Sequence, residues 1–165
     1  MNRLAISLSL LLLAACQAAS EPKRACPYQG EPDEAPSAGC LVVVHGKMLV
    51  VDSRRGGLTP PGGKVKKGES AQCTAHRETL EETGLDLNPG ELLKVFDTGF
   101  HLYACEIHAE SGSIDAAILE VKRSFWLDLD DFDAVQWRYP GQEKILREIL
   151  MPDSASADID PQNIQ

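Results

Sequence analysis

Three glutamates, Glu78, Glu81 and Glu82, stand three and four residues apart in the stretch GKVKKGESAQCTAHRETLEETGL, which runs from Gly63 to Leu85. On an α-helix this spacing puts all three carboxylates on one face. Clustered negative charges repel and destabilise an isolated helix, so the pattern gains a purpose when a hard divalent cation sits over it. Mg²⁺ takes oxygen ligands, keeps several waters and shares its shell with substrate phosphates. The chemistry predicted is metal-assisted attack on a phosphate. The plainer reading is a solvated acidic helix face.

Such a cluster needs a helix with defined ends and a turn that brings backbone close to it. Residues 70–83 predict that helix, with Gly84 supplying the stop. Ahead of it, residues 53–67 are rich in glycine and proline and include Leu58-Thr59-Pro60-Pro61-Gly62-Gly63. Glycine there permits a tight turn and a close approach to a ligand, although an ordinary Pro-Pro-Gly-Gly turn is the plainer reading. Residues 41–44 and 48–51 are β-rich runs around His45-Gly46-Lys47 and predict a hairpin. Residues 92–96, 100–108 and 120–127 read as strands, with 110–115 as a connection and 128–133 as an acidic turn. A closing helix is expected over 140–151, with Pro140 at its start and Ile145, Leu146, Ile149 and Leu150 on one apolar face. Strands mixed with two helices fit an α/β layered domain.

The run from Gly63 to Leu85 resembles the Nudix box along its whole length. Its fixed positions are Gly63, Glu69, Arg77, Glu78, Glu81, Glu82 and Gly84, closed by the apolar Leu85. Thr79 stands where the pattern prefers an aliphatic side chain, and Leu58 and Pro60 stand where the family often shows an aromatic residue and Leu. The resemblance implies a Nudix-type α/β/α sandwich over residues 39–151, with a mixed β-sheet and the box as a loop–helix–loop catalytic motif. It implies Mg²⁺, or Mn²⁺, held by Glu78, Glu81, Glu82 and the Gly62 carbonyl. Gly63, Glu69 and Gly84 would be structural, and Arg77 would pair with Glu69 to orient the cluster. The implied reaction is hydrolysis of a diphosphate linkage by metal-activated water attack on phosphorus. The substrate would be a nucleoside diphosphate linked to another moiety, or a similar envelope diphosphate.

Many family members recruit another glutamate from outside the box, and Glu120, six residues before Trp126, is the candidate here. With Glu82, Glu78 and Arg77 it completes the expected catalytic set; Glu106 and Glu110 are rivals, and a solvated strand-end glutamate is an equal reading. Arg54, Arg55 and Lys64 are candidates for holding substrate phosphate, with Lys66 and Lys67 nearby. Lysines in such loops are more often simply solvated. The four histidines show no spacing that suggests a triad or a zinc centre.

The chain has 165 residues, 25 acidic against 16 basic side chains and a net charge of −9. That length suits one domain, and the charge lacks the basic face that nucleic-acid binding uses. No nucleic-acid partner is expected, and dimerisation is open. The opening MNRLAISLSLLLLAAC joins a positive Arg3 to a short apolar run and to Leu13-Ala14-Ala15-Cys16, which is similar to the bacterial lipobox. This predicts a lipoprotein signal peptide over 1–15, acyl anchoring through Cys16, and a place in the bacterial cell envelope. Gln17 favours the outer membrane, on its periplasmic side; an ordinary cleaved signal is the plainer reading. Residues 16–38 then read as the lipidated Cys and a flexible tether, and 152–165 as a disordered tail.

Export would place Cys26, Cys40, Cys73 and Cys105 in an oxidising compartment, where an even set permits two disulfides. Three pairings are open, and proximity in sequence favours Cys26–Cys40 with Cys73–Cys105; free buried thiols are the alternative. Export also removes the chain from cytosolic nucleotide pools. A different class of function remains open, a non-catalytic Nudix-fold lipoprotein that binds a nucleotide or a partner. Loss of box glutamates marks that class, and here all of them are present.

Overall fold

The computed structural model describes residues 24–108, 114 and 121–152. In chain order they form β1 (Ser37–Leu41), β2 (Val43–Val44), β3 (Lys47–Ser53), β4 (Leu58–Thr59) and β5 (Gly62–Lys64). Then come α1 (Ala71–Thr83), β6 (Leu87–Val95), β7 (Phe100–Ile107), β8 (Val121–Asp128), a 3-10 turn (Leu129–Ala134) and α2 (Gln142–Leu150). One sheet has the order β5-β1-β7-β6 and is mixed, because β1 and β7 run parallel while the outer pairs are antiparallel. In the other, β3 pairs with β8 along one edge and with β2 and β4 along the opposite edge.

Successive strand side chains face opposite ways, and here both faces carry apolar residues. β1 sends Ala38 and Cys40 into one cluster and Leu41 into another; β3 separates Leu49 from Met48 and Val50 in the same manner. Helix α1 covers the first cluster with Ala71 and Ala75. The second is closed by Phe132 of the 3-10 turn and Leu146 of α2. The result is the α/β/α layering expected.

Differences from the expected elements have local causes. The run 41–44 is divided, with Leu41 ending β1 and Val43–Val44 turning through His45 and Gly46, at φ 50° and 73°, into β3. Two consecutive left-handed residues suit a two-residue hairpin. β6 begins at Leu87, five residues earlier than expected, through Asn88-Pro89-Gly90, which reads as a turn in composition. Proline is tolerated because β6 is an edge strand, and the register shifts between Pro89 and Leu92. α2 starts at Gln142 because Gly141 takes a left-handed φ of 76°.

The disulfide pairing favoured by sequence proximity is corrected. Cys26 bonds Cys73, and Cys40 on β1 bonds Cys105 on β7. The reason is the path of residues 24–36. Expected as part of the tether, they instead cross α1 and pack on it, which takes Cys26 away from Cys40. Asp33 N donates to Gln72 Oε1 at 2.9 Å, and Ala71 N donates to Asp33 O at 2.8 Å. Loops of 47 and 65 residues closed this way are each worth about 4 kcal/mol in the chain-entropy account.

α1 is an unusual core helix because most of its buried residues are polar. Burying them requires partners, and most have one. Thr83 Oγ1 donates to Thr79 O at 2.7 Å, Gln72 Nε2 donates to Glu31 O at 3.2 Å, and His76 Nε2 lies 2.9 Å from Asp86 Oδ1. Thr79 Oγ1 is buried with no hydrogen-bond partner among the described residues. This is the box position where the pattern prefers an aliphatic residue. An unpaired buried hydroxyl costs about 1 kcal/mol or more, so Thr79→Val, which keeps the shape, is expected to raise unfolding free energy by about 1 kcal/mol in urea titration. A destabilised Thr79→Val protein would show that the hydroxyl has a partner after all.

Candidate active site

The helix that carries the carboxylates is fixed at both ends. Ser70 caps it by accepting from Cys73 N at 3.2 Å, and Gly84, at φ 76°, closes it by donating to Leu80 O at 2.9 Å. Between these caps, Arg77 sits 4% exposed at the centre of the box. Its Nε and Nη2 donate to Glu69 Oε1 and Oε2 at 2.8 and 2.9 Å, a two-pronged pair. Nη1 donates to Glu78 Oε1 at 2.6 Å and to Glu81 Oε2 at 3.1 Å. Nη2 also donates to the Lys64 carbonyl at 3.0 Å. A guanidinium has five N–H donors, and these five bonds account for all of them.

The loop before the helix closes over the same cluster. Gly62 N donates to Glu82 Oε2 at 2.9 Å. A Cβ on Gly63 would lie 2.3 Å from Glu78 Cδ, so a side chain there would push that carboxylate off its place on Arg77. Glu78 and Glu82 are 7% and 8% exposed, while Glu81 is half exposed with Lys66 Nζ 3.7 Å from its Oε1. The structure thus brings Gly62, Gly63, Glu69, Arg77, Glu78, Glu81, Glu82 and Gly84 into one unit. Lys64 joins it through its backbone, at the exposed end of β5. Arg54 and Arg55 lie on the exposed turn that follows β3. Glu120, Glu110 and Cys16 fall outside the described residues. Glu106 is exposed and shares the strand parity of Leu102, whereas Tyr103 and Cys105 are the residues of β7 that face α1. That rival for the general base points away from the carboxylates.

Thr74 was not singled out from sequence, yet its Oγ1 donates to Glu69 Oε2 at 2.8 Å, alongside Lys66 N at 3.2 Å. Its signal was weak, a small polar residue one helical turn before Arg77. These bonds set the charge of Glu69. Burial alone would raise its carboxyl, but Arg77, Thr74 and the Lys66 amide hold it down at about 2, against an ordinary 4.5.

Whether a cation fits follows from the donors. Among Glu69, Glu78, Glu81, Glu82, Arg77 and Lys66 the formal charge is −2, from four carboxylates and two cations. An all-oxygen set with that surplus suits a hard divalent ion. Among the described residues no three such groups are already gathered around a common point. Glu78 and Glu81 are turned onto Arg77, and Glu82 onto the Gly62 amide, so holding an ion requires their carboxylates to turn.

Residues 33–149 match the NUDIX domain, and the chain belongs to the Nudix family. Over 132 residues it is 29% identical to the NAD-capped RNA hydrolase NudC of Stutzerimonas stutzeri (strain A1501), a match covering 76% of this chain and 46% of NudC. The chain therefore spans about half the length of that curated relative. Among solved structures it is similar to an ADP-ribose pyrophosphatase from Streptococcus suis 89-1591, with a TM-score of 0.59, 20% identity, and coverage of 75% of this chain and 92% of the other. It is also similar to the MutT protein from Bacillus halodurans, with a TM-score of 0.52, 27% identity, and coverage of 70% and 81%. The mixed sheet between helices is common ground with these folds.

The depressed Glu69 carboxyl has a consequence for stability. A carboxylate lowered on folding contributes fully above its unfolded value of about 4.5 and loses that contribution as pH falls towards 2. Glu69→Gln is expected to cost about 2 to 3 kcal/mol at pH 7, after allowance for partial exposure. Most of that gap should close between pH 4.5 and 2. Urea unfolding of both proteins across this range checks it; a penalty that does not change with pH would refute the ion-pair account.

Proposed function

We propose that this chain is a Mg²⁺-dependent hydrolase of diphosphate linkages, anchored to the bacterial outer membrane through a lipidated Cys16. The observation that carries the reading is the cluster of box glutamates, with Glu69, Glu78 and Glu81 ordered by one saturated arginine, Glu82 by the Gly62 amide, and a surplus of two negative charges once Lys66 is counted. Glu78, Glu81, Glu82 and the Gly62 carbonyl would hold the ion. When bound, it would neutralise charge on the diphosphate and acidify a water.

The chain's own groups do the rest. Arg77 fixes where Glu78 and Glu81 start from, and the Gly62 amide does the same for Glu82. Lys64, Arg54 and Arg55 draw the phosphates towards an otherwise acidic surface. Glu120 is the group we assign to take the proton from water. The water oxygen joins phosphorus, the bridging P–O bond breaks, and each fragment leaves with its phosphate. Positioning and electrostatics carry most of such a reaction.

The substrate class we favour is a nucleoside diphosphate linked to a second group. The names of two relatives support it, since NAD caps and ADP-ribose both contain a diphosphate joining a nucleoside to another moiety. The net charge of −9 favours such small molecules over RNA itself. The lipobox-like LAAC sequence favours substrates met in the envelope, including lipid-linked diphosphates.

Two experiments test this. The chain from Gln17, produced in an oxidising compartment, is incubated with Mg²⁺ and nucleotide sugars, nucleoside polyphosphates and isoprenoid diphosphates, and products are followed by ³¹P NMR. One class should be hydrolysed, and Glu82→Gln should lose at least about a hundredfold in rate. A folded protein that binds Mg²⁺ and diphosphates but turns none over would be a binding lipoprotein. Separately, Cys16→Ser should move the protein from the membrane to the soluble envelope fraction; retention in the membrane would overturn the lipid anchor.

A further inference from the structure

Residues 24–32 precede the stretch that matches the family, yet with 33–36 they hold α1 along its length. Near the helix end, Arg24 Nη1 donates to Asp86 Oδ2 at 2.8 Å, and Asp86 also meets the buried His76. Near its start, Asp33 N and Glu31 O take both ends of the Gln72 amide, and Asp33 O receives Ala71 N. Tyr103 OH donates to Asp33 Oδ2 at 2.8 Å, which ties the same segment to the sheet. Pro36 O receives Val65 N at 3.1 Å, so the loop ahead of the helix is held as well. The one covalent link is Cys26–Cys73.

Cys73 is the neighbour of both Gln72 and Thr74. Thr74 bonds Glu69, Glu69 grips Arg77, and Arg77 holds Glu78 and Glu81. We propose that residues 24–36 are a strap, locked by the half-buried Cys26–Cys73 disulfide, that positions the Arg77–glutamate cluster, so that opening this one bond lowers turnover. The proposal rests on the hydrolytic reading of the site.

The two disulfides differ in reach. Cys40 and Cys105 are 0% and 7% exposed within the core beneath α1. Cys73 lines an open groove between the strap and the loop ahead of the helix, with Pro36, Val65 and Lys66 around it. Thiolate attack requires access to sulfur. A dithiol reductant therefore opens Cys26–Cys73 first. It gives two electrons and two protons, the S–S bond breaks into two thiols, and the reductant's own thiols join as a disulfide. Asp33 O and Glu31 O are then held only by hydrogen bonds, and the first turn of α1 can fray, taking Thr74 from Glu69.

The test is a dithiothreitol titration of the folded chain from Gln17, with alkylation and mass mapping of the four cysteines. Amide exchange of residues 69–78 and steady-state kinetics at varied Mg²⁺ are followed in parallel, well below the melting temperature. Cys26–Cys73 should open while Cys40–Cys105 stays closed. Exchange over 69–78 should then rise at least tenfold. kcat should fall several-fold with KM for substrate within twofold, the Mg²⁺ concentration for half-maximal rate should rise, and reoxidation should restore all of these. Gln72→Ala, with the disulfide intact, should shift the same quantities in the same direction, which covers the case in which Cys26→Ser/Cys73→Ser does not fold. Unchanged exchange and unchanged kcat with Cys26–Cys73 open would overturn the strap, as would Cys40–Cys105 opening first. If the oxidised protein hydrolyses nothing while exchange still responds, the strap stands as a structural device and the hydrolytic reading, with the positioning role that rests on it, fails.

Discussion

A buried guanidinium with every N–H committed is the constraint from which the site is built. Taking Arg77 out of water is expensive, and a buried ion pair seldom repays that cost as net stability. What it gives is placement. Two carboxylate oxygens of Glu69, one each of Glu78 and Glu81, and the Lys64 carbonyl must all arrive in the plane of one planar fork. Lysine offers a point charge with three rotatable donors and cannot satisfy that set. The loop from Lys64 to Glu69 is thereby bent back onto the helix it precedes. Gly63 follows from the same demand, since Glu78 occupies the space where a side chain would be.

That demand also explains why α1 has so little apolar surface. A helix that must bury carboxylates and an arginine at its centre cannot be an ordinary amphipathic helix, and only Ala71 and Ala75 enter the core cluster beneath it. Small residues let it sit close to β1, but they contribute modest burial. The deficit is met by partners for polar groups: Asp33 and Glu31 for Gln72, and Asp86 for His76. The covalent links act at the same two levels. One joins neighbouring strands β1 and β7, and the other joins α1 to the segment lying over it.

The box helix and the pairing of Arg77 with Glu69 were legible because they are encoded at fixed short spacings. The layers were legible from strands mixed with two helices and from the resemblance of the box, but β1 was not, since Ser37 and Ala38 lie in the stretch expected to be a tether. Pairings between distant segments were not. No local pattern around Cys26 says that it will meet Cys73, since that depends on Asp33 bonding Gln72 on a helix far along the chain. Composition misled twice in the same way. Asn88-Pro89-Gly90 is an edge strand, and the described part of the Pro- and Glu-rich stretch before β1 is packed, because three-dimensional partners overrode local preference. Thr79 was readable as a departure from pattern, but its unpaired hydroxyl emerged only once the helix was seen to be buried there.

Charge frames what such a site can do. A chain of net charge −9 that gathers four glutamates at one place repels a diphosphate at a distance and needs local cations to reverse that sign. Arg77 cannot serve, because its donors are spent on the glutamates and the Lys64 carbonyl. Lys66 stands 3.7 Å from Glu81 and Lys64 caps β5 beside the cluster, so the protein's own cations reach the rim rather than the centre. The centre keeps its surplus of negative charge. An anionic substrate and an anionic centre are compatible only with a multivalent cation between them. In the reaction we propose, the arginine orders the carboxylates before substrate arrives, and a bound ion would make their charge useful.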